Sequence, residues 1–223
     1  MEVFMKTAIL VDGGFYRRRA QIKIGDIPAK DRAAELEIYC RRHLNEGKNK
    51  RIRHDLYRVF YYDCPPMSKK VYHPFLKRQT DFSKTDLYTW MNCFLEELKK
   101  RRKFALRLGK LADAQACYTL RPDVVKALCS NKISFDSLAE SDFMIQVEQK
   151  GVDMKIGLDI ASLAYKRQVD QIVLISGDSD FVSAAKLARR EGIDFVLDPL
   201  GAAIKPDLFE HIDGLRTCDS AFH

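Results

Sequence analysis

Acidic residues stand directly after two short apolar segments of this chain, a placement that suits metal-ion chemistry. Asp12 follows the run TAILV (Thr7–Val11), and Asp178 and Asp180 follow QIVLIS (Gln171–Ser176) in the motif GDSD. Short runs rich in β-branched residues are typical of strands buried in a parallel sheet. Ligands of such sheets bind outside the carboxyl ends of the strands. We therefore expect these carboxylates at the functional edge of a sheet.

A further acid opens the segment between these two motifs. The apolar residues of KGVDMKIGLDIASLAYK recur at helical spacing and predict a helix over Val152–Lys166. Asp153 begins that helix, and Asp153 and Asp159 flank the apolar stripe that must face the sheet. Crowded carboxylates repel one another unless a cation lies among them, and hard oxygen ligands suit Mg²⁺ or Mn²⁺. The residues predicted to hold the cation and to act in catalysis are Asp12, Asp153, Asp178 and Asp180.

Other polar residues lie beside these acids with supporting roles. Asp63 ends a predicted strand over Leu56–Tyr62, but the rigid turn Cys64-Pro65-Pro66 follows it, so we interpret Asp63 as a structural or supporting residue. Asp159 is likewise interpreted as a residue that supports the metal ligands and does not bind the ion itself. Ser176 and Ser179 are candidate hydrogen-bond donors to the predicted metal ligands.

The composition favours a protein that binds an anionic partner. The chain of 223 residues carries a formal charge of +7 and has a pI near 9.0, and Lys and Arg gain by releasing counterions from a phosphate backbone. Arg17, Arg18 and Arg19 follow the first predicted strand and could bind phosphates. An equally good interpretation is that they lie on a solvent-exposed turn of a helix and bind no ligand. The basic tract KNKRIR (Lys48–Arg53) is interpreted as a solvated loop.

The length of the chain and its cysteines limit the classes of protein to which it can belong. With 46% hydrophobic residues, the chain suffices for a single domain over residues 1–223. Its six cysteines lack metal-site spacing, and no apolar run reaches the roughly 20 residues that cross a bilayer. We therefore expect a cytoplasmic protein with no membrane association.

The remaining elements alternate between strands and helices. Helices are predicted over Asp31–Asn45, with Ala34, Ile38 and Leu44 toward the core, over Lys84–Arg101, and near the end over Leu208–Leu215; strands are predicted over Phe104–Leu108 and Ile193–Leu197. Residues 78–142 are the least typical part and are interpreted as a helical insertion. The expected class is α/β, with a mostly parallel central sheet and helices on both faces.

Several motifs give the chain a family resemblance. VDGGF, FYYDCPP, QKGVDMKIGLDIA, ISGDSDF, AKLARREG and EHIDG stand in this order along the sequence. Together they resemble bacterial NYN-domain proteins of the LabA-like group, a branch of the PIN-like nucleases. The resemblance covers most of the chain and is weakest between about Arg78 and Asp142. It departs from the family pattern at Phe15, where many NYN domains carry Asn.

The resemblance implies a PIN-like fold with strand order 3-2-1-4-5 and metal-dependent cleavage of RNA at Asp12, Asp153, Asp178 and Asp180. The implied cofactor is Mg²⁺ or Mn²⁺ and the implied partner is single-stranded RNA. Whether the protein also forms a homodimer is left open. Arg17, Arg18 and Arg19 are the candidate RNA contacts.

Three alternatives are weighed against this interpretation. A phosphatase of the haloacid dehalogenase type needs a second acid two residues after Asp12, where Gly14 stands. Each acid could instead only cap a helix or turn, as carboxylates often do. A protein that binds nucleic acid without turnover is the remaining alternative, and Phe15 favours it.

Overall fold

The computed structural model describes residues 3–45 and 52–222, and its centre is a six-stranded parallel sheet. In chain order, the strands are β1 (Val3–Asp12), β2 (Ile52–Asp63), β3 (Lys70–His73), β4 (Arg78–Asp81), β5 (Phe104–Leu108), β6 (Lys110–Leu111), β7 (Cys117–Leu120), β8 (Phe143–Gln146), β9 (Gln149–Lys150), β10 (Gln171–Ile175), β11 (Asp194–Asp198) and β12 (Gly214–Leu215). The helices are α1 (Gly13–Ile24), α2 (Ala29–Arg42), α3 (Asp86–Lys99), α4 (Pro122–Cys129), α5 (Val152–Tyr165), α6 (Val182–Arg190) and α7 (Pro206–Phe209).

The order of strands in the central sheet is β12-β11-β10-β1-β2-β5. Counting only these six strands along the chain, the order reads 3-2-1-4-5-6, so the predicted order is confirmed and one further strand is added. β1 and β10 are neighbours, with Val11 opposite Ile175. The direction of winding reverses between them, and such a switch point opens a crevice at the carboxyl edge of the sheet.

Two apolar cores cover the two faces of this sheet. Ala8 and Leu10 of β1 belong to the core that α5 and α6 complete, whereas Ile9 and Val11 belong to the core on the side of α1, α2 and α3. All four side chains are fully buried. Because successive side chains of a strand point to opposite faces, a continuous apolar run is what burial on both faces requires. The predicted helices on both faces are thereby confirmed.

Helix α2 buries a different stripe from the predicted one. Its buried residues are Ala29, Arg32, Ala33, Leu36, Tyr39 and Cys40. Ile38, predicted to face the core, is 55% exposed. The polar members of the buried stripe explain the error, because a search for aliphatic residues at helical spacing passes over Arg32 and Tyr39.

The last segment also differs from its prediction. The helix expected over Leu208–Leu215 ends at Phe209, and Gly214–Leu215 pairs with β11 as the sixth strand of the sheet. Asp213 fixes this change of direction, since its carboxylate accepts hydrogen bonds from the Phe195 backbone and from Arg189.

Residues 78–142 are less helical than an inserted helical unit would be. They contain α3 and β5, which belong to the central layers, and only α4 as a further α-helix within the described chain. β4 and β7 of this segment belong to antiparallel pairs whose other strands, β3 and β8, lie just outside it. A third pair, β6 with β9, holds residues 149–150 just before α5.

Within the described ranges, no helix is both long and apolar enough to cross a membrane. The predicted loop over Lys48–Arg53 lies outside the described residues as far as residue 51, while Ile52 and Arg53 belong to β2.

Candidate active site

The ends of β1 and β10 place two of the predicted acidic motifs side by side. Asp12 is the last residue of β1, and Ser176 follows β10 directly. The Ser176 hydroxyl donates a hydrogen bond to Oδ2 of Asp12 at 3.2 Å and accepts one from the Asp178 backbone N–H at 3.3 Å. One buried serine therefore connects the GDSD motif to the acid of the first strand.

Two of the acids also cap the helical turns that follow them. Oδ1 of Asp12 accepts the Phe15 N–H at 3.0 Å at the start of α1, and Oδ1 of Asp178 accepts the Asp180 N–H at 3.0 Å. The capping interpretation of these acids therefore describes part of what they do. Each cap occupies one oxygen and fixes the orientation of its carboxylate.

Asp153 differs, because it lies in the first turn of α5 without capping it. The residue before the helix is Gly151, at φ 80°, and no side chain caps this terminus. Within the described part of the chain, no hydrogen bond to the Asp153 carboxylate is found. Burial, followed by the charges of Asp178 and Asp180, raises the pKa of Asp153.

The charge of Asp153 also acts on Asp12, at the end of β1. Burial raises the pKa of Asp12 against the lowering effect of its hydrogen bonds, and the charges of Asp153 and Asp63 add to the increase. Asp153 thus interacts electrostatically both with the acid of β1 and with the acids after β10. Asp153 therefore lies close enough to Asp12, Asp178 and Asp180 for their like charges to repel, which is the situation that a cation relieves.

The donor set suits a hard divalent cation in an open site. In the ranges that the structure describes, no three His, Cys, Asp or Glu side chains form a ready-made metal cage. Mg²⁺ does not require one, because it keeps several waters and also binds substrate phosphates, so that carboxylates supply only part of its ligands. The site offers such an ion hard oxygen ligands that repel one another without it, and among the described residues the Asp153 carboxylate has no hydrogen bond that would compete with metal binding.

Asp63 lies in a different environment from these four acids. Its side chain is fully buried and forms a bidentate ion pair with Arg17, with Nε to Oδ2 at 2.9 Å and Nη2 to Oδ1 at 3.0 Å. The Tyr61 hydroxyl and the Cys64 N–H also donate to it, each at 2.8 Å. These bonds connect the end of β2 to α1.

The three consecutive arginines do not form one surface. Arg17 turns inward to Asp63, and Arg19 donates to the Leu200 carbonyl oxygen from Nε at 3.1 Å and from Nη2 at 2.7 Å. Arg18 is exposed and makes a long hydrogen bond of 3.3 Å to the Gly14 carbonyl. Consecutive residues of a helix point about 100° apart, so a basic triplet cannot all face one ligand.

The remaining predicted residues have partners that sequence reasoning missed. Asp159 accepts hydrogen bonds from the Tyr62 hydroxyl at 2.8 Å and from Arg107 Nε at 3.1 Å. Ser179 accepts one from Lys205 Nζ at 3.0 Å, which places an ammonium group beside the GDSD motif. No local pattern marks Lys205, because it lies 26 residues after Ser179 and meets it only in the fold.

Close approaches explain two glycines of the motifs. A Cβ on Gly13 would lie 2.4 Å from the Tyr61 ring and 2.7 Å from Asp63 Oδ2. A Cβ on Gly177 would lie 2.5 Å from Cε2 of Phe15. The Phe15 ring therefore packs directly on the loop that carries Asp178, at the position where the family resemblance leads us to expect Asn.

A match to a protein-family model shows the family to which the chain belongs. The model of the NYN domain matches residues 87–203, which is more than half of the 223 residues. The chain belongs to the NYN domain family. This NYN match includes Asp153, Asp178 and Asp180 but begins after β1, so Asp12 lies outside it. The match also includes most of the segment that the sequence analysis treats as least typical.

Other comparisons add little to the NYN assignment. None of the curated proteins matches the chain. A solved structure of a protein of unknown function from Vibrio parahaemolyticus is 14% identical, with a TM-score of 0.49; the similarity covers 98% of this chain and 95% of that one.

Proposed function

We propose that this NYN-domain protein is a metal-dependent endoribonuclease that cleaves RNA at Asp12, Asp153, Asp178 and Asp180. The observation that supports it best is the coupling of Asp153 to both strand ends, because a carboxylate at a helix start does not need three like-charged neighbours to stabilise the helix. The NYN domain is associated with the PIN-like nucleases, which typically use divalent metals.

In this proposal, Asp12, Asp153 and Asp178 hold Mg²⁺ or Mn²⁺, and Asp180 supports the site. A bound cation of this kind supplies an activated water and offsets charge on the phosphate. Ser176 orients Asp12 through its hydroxyl, and the caps from Phe15 and Asp180 fix the two strand-end carboxylates before substrate arrives. Such preorganisation avoids reorganisation during the reaction.

The RNA backbone would meet cations on both sides of the acids. Arg18 is exposed one turn into α1, and Lys205 is exposed beside Ser179. A cavity of about 160 Å³ lies beside the Cys64-Pro65-Pro66 turn and is lined by Arg17 and Gln149 together with mostly apolar side chains. Single-stranded RNA is the proposed substrate, because a flexible strand can place its backbone along these cations and stack its bases on nearby side chains.

The second candidate is a protein that binds nucleic acid without turnover. The Phe15 ring on Gly177 favours it, because an apolar ring stands where a polar group would help to hold a water or phosphate. Phe15→Asn separates the two candidates. An increase in cleavage by this variant, from no cleavage in the wild-type protein, would support a protein that has lost turnover.

The test of the proposed function is cleavage of end-labelled RNA and DNA, single and double stranded, with Mg²⁺, Mn²⁺ or EDTA. We expect internal cuts in single-stranded RNA that require the metal. Asp178→Asn, purified in parallel, should cut more than about 100-fold more slowly, since loss of a ligand exceeds the usual cost of removing an outer partner. Equal rates for the two proteins would contradict the proposal.

A further inference from the structure

A second polar cluster lies at the end of β11, the strand next to β10. Its centre is the fully buried Asp198. Oδ2 of Asp198 accepts from the Tyr39 hydroxyl and lies 2.9 Å from Nε2 of His43, while Oδ1 accepts from the Leu200 N–H at 2.8 Å and the Thr217 hydroxyl at 3.0 Å.

These contacts determine which atoms carry protons. The Tyr39 hydroxyl accepts the Cys218 backbone N–H at 3.3 Å, so its own proton goes to Asp198. A carboxylate with four such neighbours acts as an acceptor, and His43 must therefore donate from Nε2. Neutral histidine carries one N–H, which leaves Nδ1 as an acceptor.

The atom facing Nδ1 is a thiol sulfur. Sγ of Cys218 lies 3.3 Å from Nδ1 of His43, and the Cys218 side chain is partly exposed. In this tautomer, Nδ1 can accept the S–H proton. The order thiol, imidazole, carboxylate is the arrangement in which a base activates a nucleophile and a third group orients the base.

We infer that Cys218 is a nucleophilic thiol and a site of oxidation by hydroperoxides, with His43 as its base and Asp198 orienting the base. This inference is independent of the proposed nuclease function. The other cysteines differ in their surroundings. Cys40 and Cys64 are buried, and burial followed by Asp63 raises the pKa of Cys64 to about 11.

The chemical step balances with a hydroperoxide as the oxidant. The Cys218 proton passes to Nδ1 of His43, and the thiolate sulfur attacks the terminal peroxide oxygen. The S–O bond forms as the O–O bond breaks, so the sulfur is oxidised to a sulfenic acid and the peroxide is reduced. The departing alkoxide or hydroxide takes the proton back from His43 and leaves as an alcohol or water.

Neighbouring charges and rings limit which reagents reach this sulfur. Arg42 pairs with Asp219 beside it, and Phe222 packs edge-on against Tyr39 on the same segment. A partly buried thiol in such surroundings favours small reagents, and hydrogen peroxide is the smallest of its class.

The experiment compares cysteines within one molecule. Wild-type protein is treated briefly with iodoacetamide at pH 6.5 and at pH 9, and alkylation of each cysteine is followed by peptide mass spectrometry. An ordinary thiol is only about 1% thiolate at pH 6.5. We expect Cys218 to react about fivefold or more faster than the exposed Cys93 at pH 6.5, with the advantage gone at pH 9.

Hydrogen peroxide followed by a dimedone-type trap should then label Cys218 before Cys93. His43→Gln should remove both preferences while Cys93 keeps its rate, and circular dichroism checks its fold. If His43→Gln does not fold, the wild-type comparison decides alone. Alkylation of Cys218 no faster than that of Cys93 at pH 6.5, or trapping at Cys93 first, would overturn the inference.

Discussion

At the scale of single residues, the negative charges of Asp12 and Asp153 oppose folding of the metal-free protein. Burial raises the pKa of Asp12, and burial with Asp178 and Asp180 raises the pKa of Asp153. A carboxyl whose folded pKa exceeds its unfolded value stabilises the fold when protonated. That contribution is present below the unfolded pKa and is lost as the pH rises through the folded pKa.

Asp12→Asn should therefore stabilise the metal-free protein at pH 7.5, by roughly 2–4 °C in Tm, which corresponds to about 1 kcal/mol in a chain of this size. The amide can still accept the cap from Phe15. The gain should shrink at pH 4.5, where wild-type Asp12 is more protonated. Thermal unfolding in EDTA at both pH values measures it, with the exposed Asp136→Asn as a control that should show neither effect.

Added Mn²⁺ should stabilise the wild-type protein but not a variant that lacks a proposed metal ligand. A ligand that binds only the folded state stabilises it by about 2.7 kcal/mol at 100 times its Kd. We expect Mn²⁺ to raise the Tm of the wild-type protein and to leave Asp178→Asn unchanged. A shift of the same size in both proteins would show that the cation binds elsewhere.

Arg17 and Arg18 should give opposite results when replaced. Arg17→Ala leaves the fully buried Asp63 without its ion-pair partner, and removing one member of a buried pair costs about 3–5 kcal/mol. Arg18→Ala, at an exposed position, should change stability by less than about 0.5 kcal/mol yet weaken RNA binding. Urea unfolding and RNA titrations of both variants measure these effects; a stable Arg17→Ala protein would contradict the assigned role of Asp63.

At the scale of elements, the GDSD loop depends on the helix that follows β1. The Phe15 ring of α1 fills the space above Gly177, so each constrains the other. Gly177→Ala should destabilise the fold by about 1–3 kcal/mol through overpacking. Phe15→Ala should make the Gly177→Ala change less costly, and a double-mutant cycle in urea should give a coupling above about 0.5 kcal/mol. Additive effects would mean that the loop and α1 move independently.

The sequence indicates most of the central elements but few of the contacts between them. The strands before Asp12 and Asp178 are recognisable because burial on both faces demands continuous apolar runs, and the helix at Asp153 has a clear period. The buried side of α2 is missed because Tyr39 and Arg32 lie on it. Lys205 beside Ser179 and His43 beside Cys218 are missed because no local pattern encodes contacts across the fold.

At the scale of the whole molecule, we propose that residues 1–223 act as one unit, since β1 is a central strand of the sheet. β1 pairs with β10 on one side and β2 on the other. A shortened chain of residues 87–203, the part that the family model matches, lacks both β1 and β2. It should fail to fold cooperatively, whereas the full chain should show one transition in thermal unfolding followed by circular dichroism. A folded, cleaving fragment would contradict this.

The pairing of β1 with β10 also determines when the carboxyl edge of the sheet can assemble during synthesis. Strands so distant in sequence pair slowly, and a chain emerges from the ribosome amino end first. Asp12 is made early, but Asp153 and the GDSD motif, whose acids complete the proposed centre, are made only after the segments from α1 to β9. If the protein is the proposed ribonuclease, its catalytic centre stays incomplete until the GDSD motif has been made, so a nascent chain that lacks this motif should not cleave the messenger RNA that it is read from.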